Sequence, residues 1–178
     1  NGKPAVLFAN NYLDTASVAL NPNGQVNAAA VVQFDNVTSR QIVGSQWSST
    51  ASLQNFFIQM QEVVVGLRMG YRYTNGNLAY VDQTATATLN TQYLMSGEFY
   101  PNTCQAYYNG TLDTQTNTVS IFGVNPRNNS IPLRLGALSS NGTQLLRGFI
   151  QEYIHWSNTT AHDGEDISDD INSYYSVF

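Results

Sequence analysis

The chain has 178 residues, seven Lys and Arg against twelve Asp and Glu for a net charge of −5, and 42% hydrophobic but only 11% charged residues. That length suits one domain, residues 1–178, with a sizeable core, and a second domain is not expected. Scattered cations on a net-negative chain exclude sequence-independent nucleic-acid binding, the lone Cys104 excludes an internal disulfide, and no apolar run is long enough to span a membrane. Solubility is expected to rest on Asn, Thr, Ser and Gln rather than on ion pairs. Asn1 is not an initiator Met and runs straight into a strand-like segment, which leaves room for a signal, propeptide or domain before it.

In chain order, Lys3 to Phe8 predicts a first strand, and Pro22-Asn23-Gly24 predicts a turn before a long strand from Val26 to Phe34. Ala28, Ala30, Val32 and Phe34 share one face there, small enough for a facing layer to come close. Gln41 to Trp47 and Leu53 to Met60 follow, the second with Phe57 and Gln59 alternating against Phe56, Ile58 and Met60. Glu62 to Tyr73 continues as a strand: Val63-Val64-Val65 is β-branched, and Gly66 and Gly70 favour a bulge over a helix. Asn75-Gly76, between Tyr71-Arg72-Tyr73 and Leu78-Ala79-Tyr80, predicts a hairpin. Thr and Ala alternate from Thr84 to Thr88. Tyr93 to Tyr100 and Gln105 to Tyr108 are further strands, the latter leading into Asn109-Gly110.

The stretch Gly148 to Trp156 predicts one strand with Phe149, Gln151, Tyr153 and His155 on one face and Ile150, Glu152, Ile154 and Trp156 on the other. Both faces are largely apolar, so both are expected to be covered, and Glu152 between Ile150 and Ile154 is expected to be buried and hydrogen-bonded. After the break at Ser157-Asn158, a helix is predicted from Asp163, with acids at its positive end and Ile167, Ile171 and Tyr174 or Tyr175 at helical spacing. The pattern is all-β with one short C-terminal helix.

Leu133-Arg134-Leu135-Gly136-Ala137 followed by Gly-x-Ile-x-Glu-x-Ile at residues 148–154 and an aromatic resembles the closing signature of concanavalin A-like, laminin-G-type domains. The Tyr107-Tyr108-Asn109-Gly110-Thr111 hairpin resembles the turn before their final strands. Gly2 to Phe8 and Ile171 to Tyr175 resemble the ends of such domains in bacteriophage tail and capsid-associated proteins and in bacterial surface proteins. The early tryptophan strand common in these domains is replaced by Ala28 to Phe34. The resemblance implies an antiparallel jelly-roll β-sandwich, a virion-surface or extracellular location, and glycans or other virion subunits as partners, with homo-oligomers possible. It also admits calcium, which many relatives bind.

For calcium the oxygen ligands would come from Asp14, Asp35, Asp82 and Asp113, though no Asp-rich loop specifies a site and the metal ligands stay unassigned. His155 and His162 lack the spacing of a zinc site. Cys104 has no announced base and reads as an inert thiol. Glycoside hydrolysis needs two carboxylates flanking a bond. The densest acids, Glu165, Asp166, Asp169 and Asp170, lie on the predicted helix, and Glu152 has no second acid beside it, so no catalytic residue is assigned. Carbohydrate-binding candidates are Tyr71, Tyr73, Tyr80, Tyr107, Tyr108 and Asn109, aromatic platforms and an amide around the two hairpins. For any one tyrosine, packing into a core or subunit contact is the commoner role. The sequons at Asn36, Asn109, Asn128, Asn141 and Asn158 mark turns. The expected function is a non-catalytic surface module for host-glycan attachment or capsid and tail decoration; an extracellular bacterial carbohydrate-binding module and a divergent glycan hydrolase or lyase are the alternatives.

Overall fold

The computed structural model describes residues 2–20, 25–62, 66–83, 86–139, 143–157 and 164–178. The Pro22-Asn23-Gly24 turn, Val63-Val64-Val65, the start of the Thr/Ala alternation, the Asn141 and Asn158 sequons, His162 and Asp163 lie outside them. Among the described residues, twelve strands form two six-stranded antiparallel sheets. Sheet A has the order β1 (Val6–Ala9), β12 (Arg147–Trp156), β3 (Val26–Phe34), β8 (Gln92–Tyr100), β9 (Thr103–Tyr108), β10 (Thr111–Thr114). Sheet B has β2 (Leu13–Val18), β11 (Ile131–Leu135), β4 (Gln41–Gln46), β5 (Phe56–Glu62), β6 (Gly66–Arg72), β7 (Leu78–Asp82). Among the described residues one α-helix, α1 (Gly164–Tyr175), follows β12. The expected β-sandwich with a C-terminal helix is what forms.

The alternation read in β3 and β5 is the alternation that packs. Ala28, Ala30, Val32 and Phe34 meet Phe56, Ile58, Met60, Leu67, Met69 and Tyr71 in one core between the sheets. The small residues of sheet A let the layers close in: a Cβ added at Gly97 would lie 2.8 Å from Met69 Cε of the other sheet. Cys104 faces this core and burial pushes its thiol up to about 12, which keeps it protonated and inert. At the β9–β10 hairpin Asn109 and Gly110 both take positive φ, 50° and 75°, as a two-residue turn between twisted strands requires.

β12 departs from strict alternation. Its register against β3 slips between Ile150↔Val32 and Glu152↔Val31, so Gln151 is the extra residue of a bulge. The single expected face Phe149-Gln151-Tyr153-His155 is therefore split. Ile150, Tyr153 and His155 share the core side, whereas Glu152, Ile154 and Trp156 pair with Val31, Ala29 and Asn27 on the outer side. There α1 docks: Ile171 and Tyr175 cover Ala29, Val31 and Leu94, with Ile167 and Trp156 at the margin. The helix contributes one buried polar contact, Ser168 Oγ to Ser96 Oγ at 2.6 Å. Of the two tyrosines, Tyr175 packs inward and Tyr174 stays exposed, its ring under the Lys3 ammonium at 3.6 Å. Asp166, Asp169 and Asp170 are solvated.

Glu152 is half-buried rather than buried, because the bulge leaves it beside the helix instead of beneath it. Its Oε2 accepts the Tyr175 hydroxyl proton at 2.9 Å, and burial together with this contact pushes the phenol up to about 12. The carboxylate that is fully buried is Glu98, which accepts from Tyr100 Oη and Gln105 Nε2, each at 2.6 Å. Glu152→Ala is accordingly expected to lower stability by only about 1 kcal/mol, the net worth of one hydrogen bond. A double-mutant cycle with Tyr175→Phe in urea denaturation checks it, the second change adding little to the first.

His155 keeps part of its surface in solvent, but its ring lies against Phe56, tilted by 46° with centroids 4.7 Å apart, and its Nε2 is buried without a partner. Burial pushes its pKa down to about 3, so the fold holds it neutral. The unfolded chain takes up a proton near pH 6.5 that the native state refuses, so this contribution is present above pH 6.5 and is lost as pH falls toward 3. Up to about 2 kcal/mol is expected to be gone by pH 5. On acidification the parent's urea midpoint should fall relative to that of His155→Leu, whichever is the more stable at neutral pH; parallel curves would refute the assignment.

Candidate functional site

Three of the six residues singled out for sugar binding are core. Tyr71, Tyr73 and Tyr108 are at most 1% exposed and point between the sheets, so their rings offer no platform to a ligand. Each hydroxyl is committed: Tyr71 to the Arg127 carbonyl at 3.1 Å, Tyr73 to the Thr103 carbonyl at 2.8 Å, Tyr108 to the Val81 carbonyl at 2.8 Å. Tyr107 is buried on the opposite face of β9, and the Asn109 amide oxygen accepts the Leu94 N–H at 2.8 Å as part of its turn. Tyr80 is different. It stands on the outer face of sheet B, half-buried, with the Arg68 guanidinium 4.0 Å above its ring.

The four aspartates considered for calcium are dispersed. Asp14 sits on β2, ion-paired to Arg134 at 3.0 Å; Asp82 ends β7, held by Arg68; Asp113 is on β10; Asp35 follows β3. Three of them are strand residues rather than loop ligands, and among the described residues no three His, Cys, Asp or Glu gather around one point.

The two outer faces of the sandwich are treated differently. That of sheet A is covered by α1 over Ala29, Val31 and Leu94. On sheet B the segment after β11 folds back along β4: Ser45 Oγ donates to the Ala137 carbonyl at 2.8 Å and Ile42 N–H donates to the Gln144 carbonyl at 3.0 Å. Beyond that strip a cleft of about 300 Å³ runs over β5. Its floor is Phe57 and Gln59, which the sheet directs outward because Phe56, Ile58 and Met60 are taken by the core, and which are buried beneath the side chains around them. Arg40, Leu138 and Gln144 line it on the β4 side and Arg68 and Leu78 on the β6–β7 side, with Trp47 following β4.

The rings are held in place. Trp47 meets Phe57 edge-on at 5.3 Å, and the Arg72 guanidinium lies 5.4 Å from its ring centre. Phe57 rests on Gly70, where a Cβ would sit 2.7 Å from its Cζ, so a glycine is what lets that ring lie low on the sheet. Arg68 is bound through both carboxylate oxygens of Asp82, Nη2 to Oδ2 at 2.8 Å, and this pairing raises its pKa against the opposing effect of burial. Two polar atoms in the cleft lining are buried without a partner: Arg40 Nε, a donor, and Gln144 Oε1, an acceptor. Orphans of both kinds, beside an indole, leave unmet hydrogen-bonding capacity at the cleft wall.

None of Trp47, Phe57, Gln59, Arg40 and Gln144 was a candidate from sequence. The usable signal was the parity of β5, which already sets Phe57 and Gln59 apart from the core residues. A second cleft of about 220 Å³, on sheet A by Lys3, Gln33, Gln92, Phe149 and Gln151, is less suited. Its Gln92 and Gln151 already bond each other at 2.6 Å. The gap bounded by Phe56, Tyr71, Phe99 and His155 inside the core admits no water-sized sphere.

The sequence matches no protein-family model and no curated protein. Solved structures do match the fold. The NanB sialidase of Streptococcus pneumoniae aligns with TM-score 0.67 at 18% identity, over 94% of this chain and 27% of that one. The fold is a lectin-like jelly roll. Domain 4 of AbnA, a GH43 extracellular arabinanase from Geobacillus stearothermophilus solved with arabinotriose, aligns with TM-score 0.65 at 13% identity over 93% of this jelly roll and 75% of that chain. The CBM40 of a Ruminococcus gnavus IT-sialidase, bound to α2,3 sialyllactose, aligns with TM-score 0.59 at 13% identity over 94% and 99%.

Proposed function

We propose that this jelly roll is a non-catalytic, laminin-G-like module that binds glycan in the cleft on the outer face of sheet B. The observation that carries the reading is the asymmetry of the two outer faces. The face of sheet A is partly covered by α1 and its smaller cleft is lined by glutamines that bond each other, whereas the face of sheet B presents a cleft of about 300 Å³ in which Trp47, in edge contact with the buried Phe57 ring, stands beside amide and guanidinium groups with unmet hydrogen-bonding capacity. A pyranose needs an aromatic surface for its C–H face and fixed donors and acceptors for its hydroxyls, and this lining supplies both. Two solved proteins of the same fold hold sugars, arabinotriose and sialyllactose, which supports the class of ligand.

A hydrolase or lyase is the weaker reading: the cleft lining contains no carboxylate, and nearby Asp82 is engaged by Arg68. Display on a virion, for host attachment or decoration of neighbouring subunits, is the narrower form of the proposal. It rests on the chain ends, yet Phe8 packs in the core and Ile171 and Tyr175 under the helix, so packing alone accounts for those residues. An extracellular carbohydrate-binding module is therefore the form we favour.

The experiment is a glycan array followed by calorimetry on the strongest hit. Trp47→Ala is expected to weaken binding by about 2 kcal/mol, roughly thirtyfold in Kd. A variant that binds like the parent would move the site elsewhere.

A further inference from the structure

The charge around the cleft goes beyond what a neutral sugar calls for. This chain carries net charge −5 with seven cations, yet Arg40, Arg68 and Arg72 all lie on the outer side of sheet B, with Arg127 close enough to Arg72 to lower its pKa alongside burial. Their partners differ. Arg68 is matched by Asp82, Arg72 Nη1 donates to the Gly76 carbonyl at 2.8 Å, and Arg127 Nη1 donates to the Ala51 carbonyl at 2.6 Å. Arg40 alone of these four makes no ion pair and no side-chain hydrogen bond among the described residues, and its Nε is already withdrawn from water.

We infer that the cleft receives an acidic sugar whose carboxylate is bound by the Arg40 guanidinium, with the sugar ring against Trp47. The inference rests on the glycan-binding reading above and names its ligand class. Magnitudes decide between acid and neutral sugar: a hydrogen bond to a charged group favours binding by about tenfold over one to a neutral hydroxyl. A planar carboxylate can also take two N–H groups of one guanidinium at once, which a lone hydroxyl oxygen cannot. The lining opposes such a guest with no carboxylate of its own. Gln144, whose Oε1 has no partner, remains for its hydroxyls, whereas Gln59 Nε2 already donates to Gln61 Oε1.

The test uses matched probes: a galacturonate trisaccharide against its methyl ester, and sialyllactose against lactose, by calorimetry at low and high salt. The acid of at least one pair should bind at least about tenfold more tightly than its neutral partner and lose affinity as salt rises. Arg40→Gln should remove at least about tenfold of that affinity, while Lys3→Gln on the other sheet leaves it unchanged. Thermal melts of both variants matching the parent exclude misfolding as the cause. Equal affinity for acid and neutral partners, or binding of neutral sugars only, overturns the acidic-sugar inference and leaves glycan binding standing. If neither kind binds, here or on an array, both readings fall.

Discussion

Gly148→Ala is expected to cost about 3 to 5 kcal/mol, a large part of the 5 to 15 kcal/mol that holds a domain of this kind together. At Gly148 β12 is paired on both sides, to Phe8 of β1 and to Phe34 of β3. Its φ is +149°, and an added Cβ would stand 2.0 Å from the Gln33 carbonyl oxygen and 3.0 Å from Phe34 Cα. All the obstructing atoms are backbone, so no rotamer change relieves the contact; β12 and β3 would have to separate. This gives a physical reason for the glycine that opens the Gly-x-Ile-x-Glu stretch. Urea denaturation of the variant decides it, and a midpoint within error of the parent would show that the strand adjusts.

Tyr108→Phe is expected to cost about 2 to 4 kcal/mol although it removes a single oxygen. The Tyr108 side chain crosses from sheet A to sheet B, where its hydroxyl accepts the Met69 N–H at 3.1 Å and donates to the Val81 carbonyl at 2.8 Å. Those two groups belong to the facing strands β6 and β7, so the phenol completes a ladder in the other sheet. Phenylalanine keeps the ring packing and strands both groups, at roughly 1 to 3 kcal/mol each. Burial holds the phenol far above its usual pKa, so the loss should be independent of pH over the neutral range. Faster hydrogen exchange at the Met69 amide would locate the effect; unchanged exchange and stability would contradict it.

The strands with one clearly apolar parity were readable from residues alone. β3 has the bounds its composition predicts, and the Asn109-Gly110 turn follows from the two positive φ angles those residues tolerate. β2 was not readable: Leu13–Val18 is almost wholly exposed, pairs only with β11 at the sheet edge, and so carries no apolar alternation. The β12 bulge was hidden for the opposite reason. With aromatic or branched residues on both faces, either parity satisfies the pattern, and only pairing with β3 shows that Gln151 is the extra residue.

The site suffered from the same ambiguity. Tyr71 and Tyr80 flank one hairpin, but the register Tyr71↔Ala79 sends Tyr71 inward with Ala79 and Tyr80 outward. Small alanines fill the core there, which inverts what side-chain size suggests. Trp47 was concealed by the register shift between Ile42 and Gly44, which breaks the parity of β4 just before it. Arg40 and Gln144 come together from segments 104 residues apart in sequence, a proximity that only the folded pairing of β11 with β4 and the return of the following segment create.

The central claim is that sheet B, on its outer face, is where this jelly roll meets a sugar. The direct measurement is a titration of isotope-labelled protein with the strongest glycan from the array, followed by amide and indole chemical shifts. Saturable shifts are expected at the Trp47 indole N–H, Arg40, Gln59 and Gln144, with β12 and α1 silent. Shifts confined to Lys3, Gln33, Phe149 and Gln151 on the other sheet would contradict it.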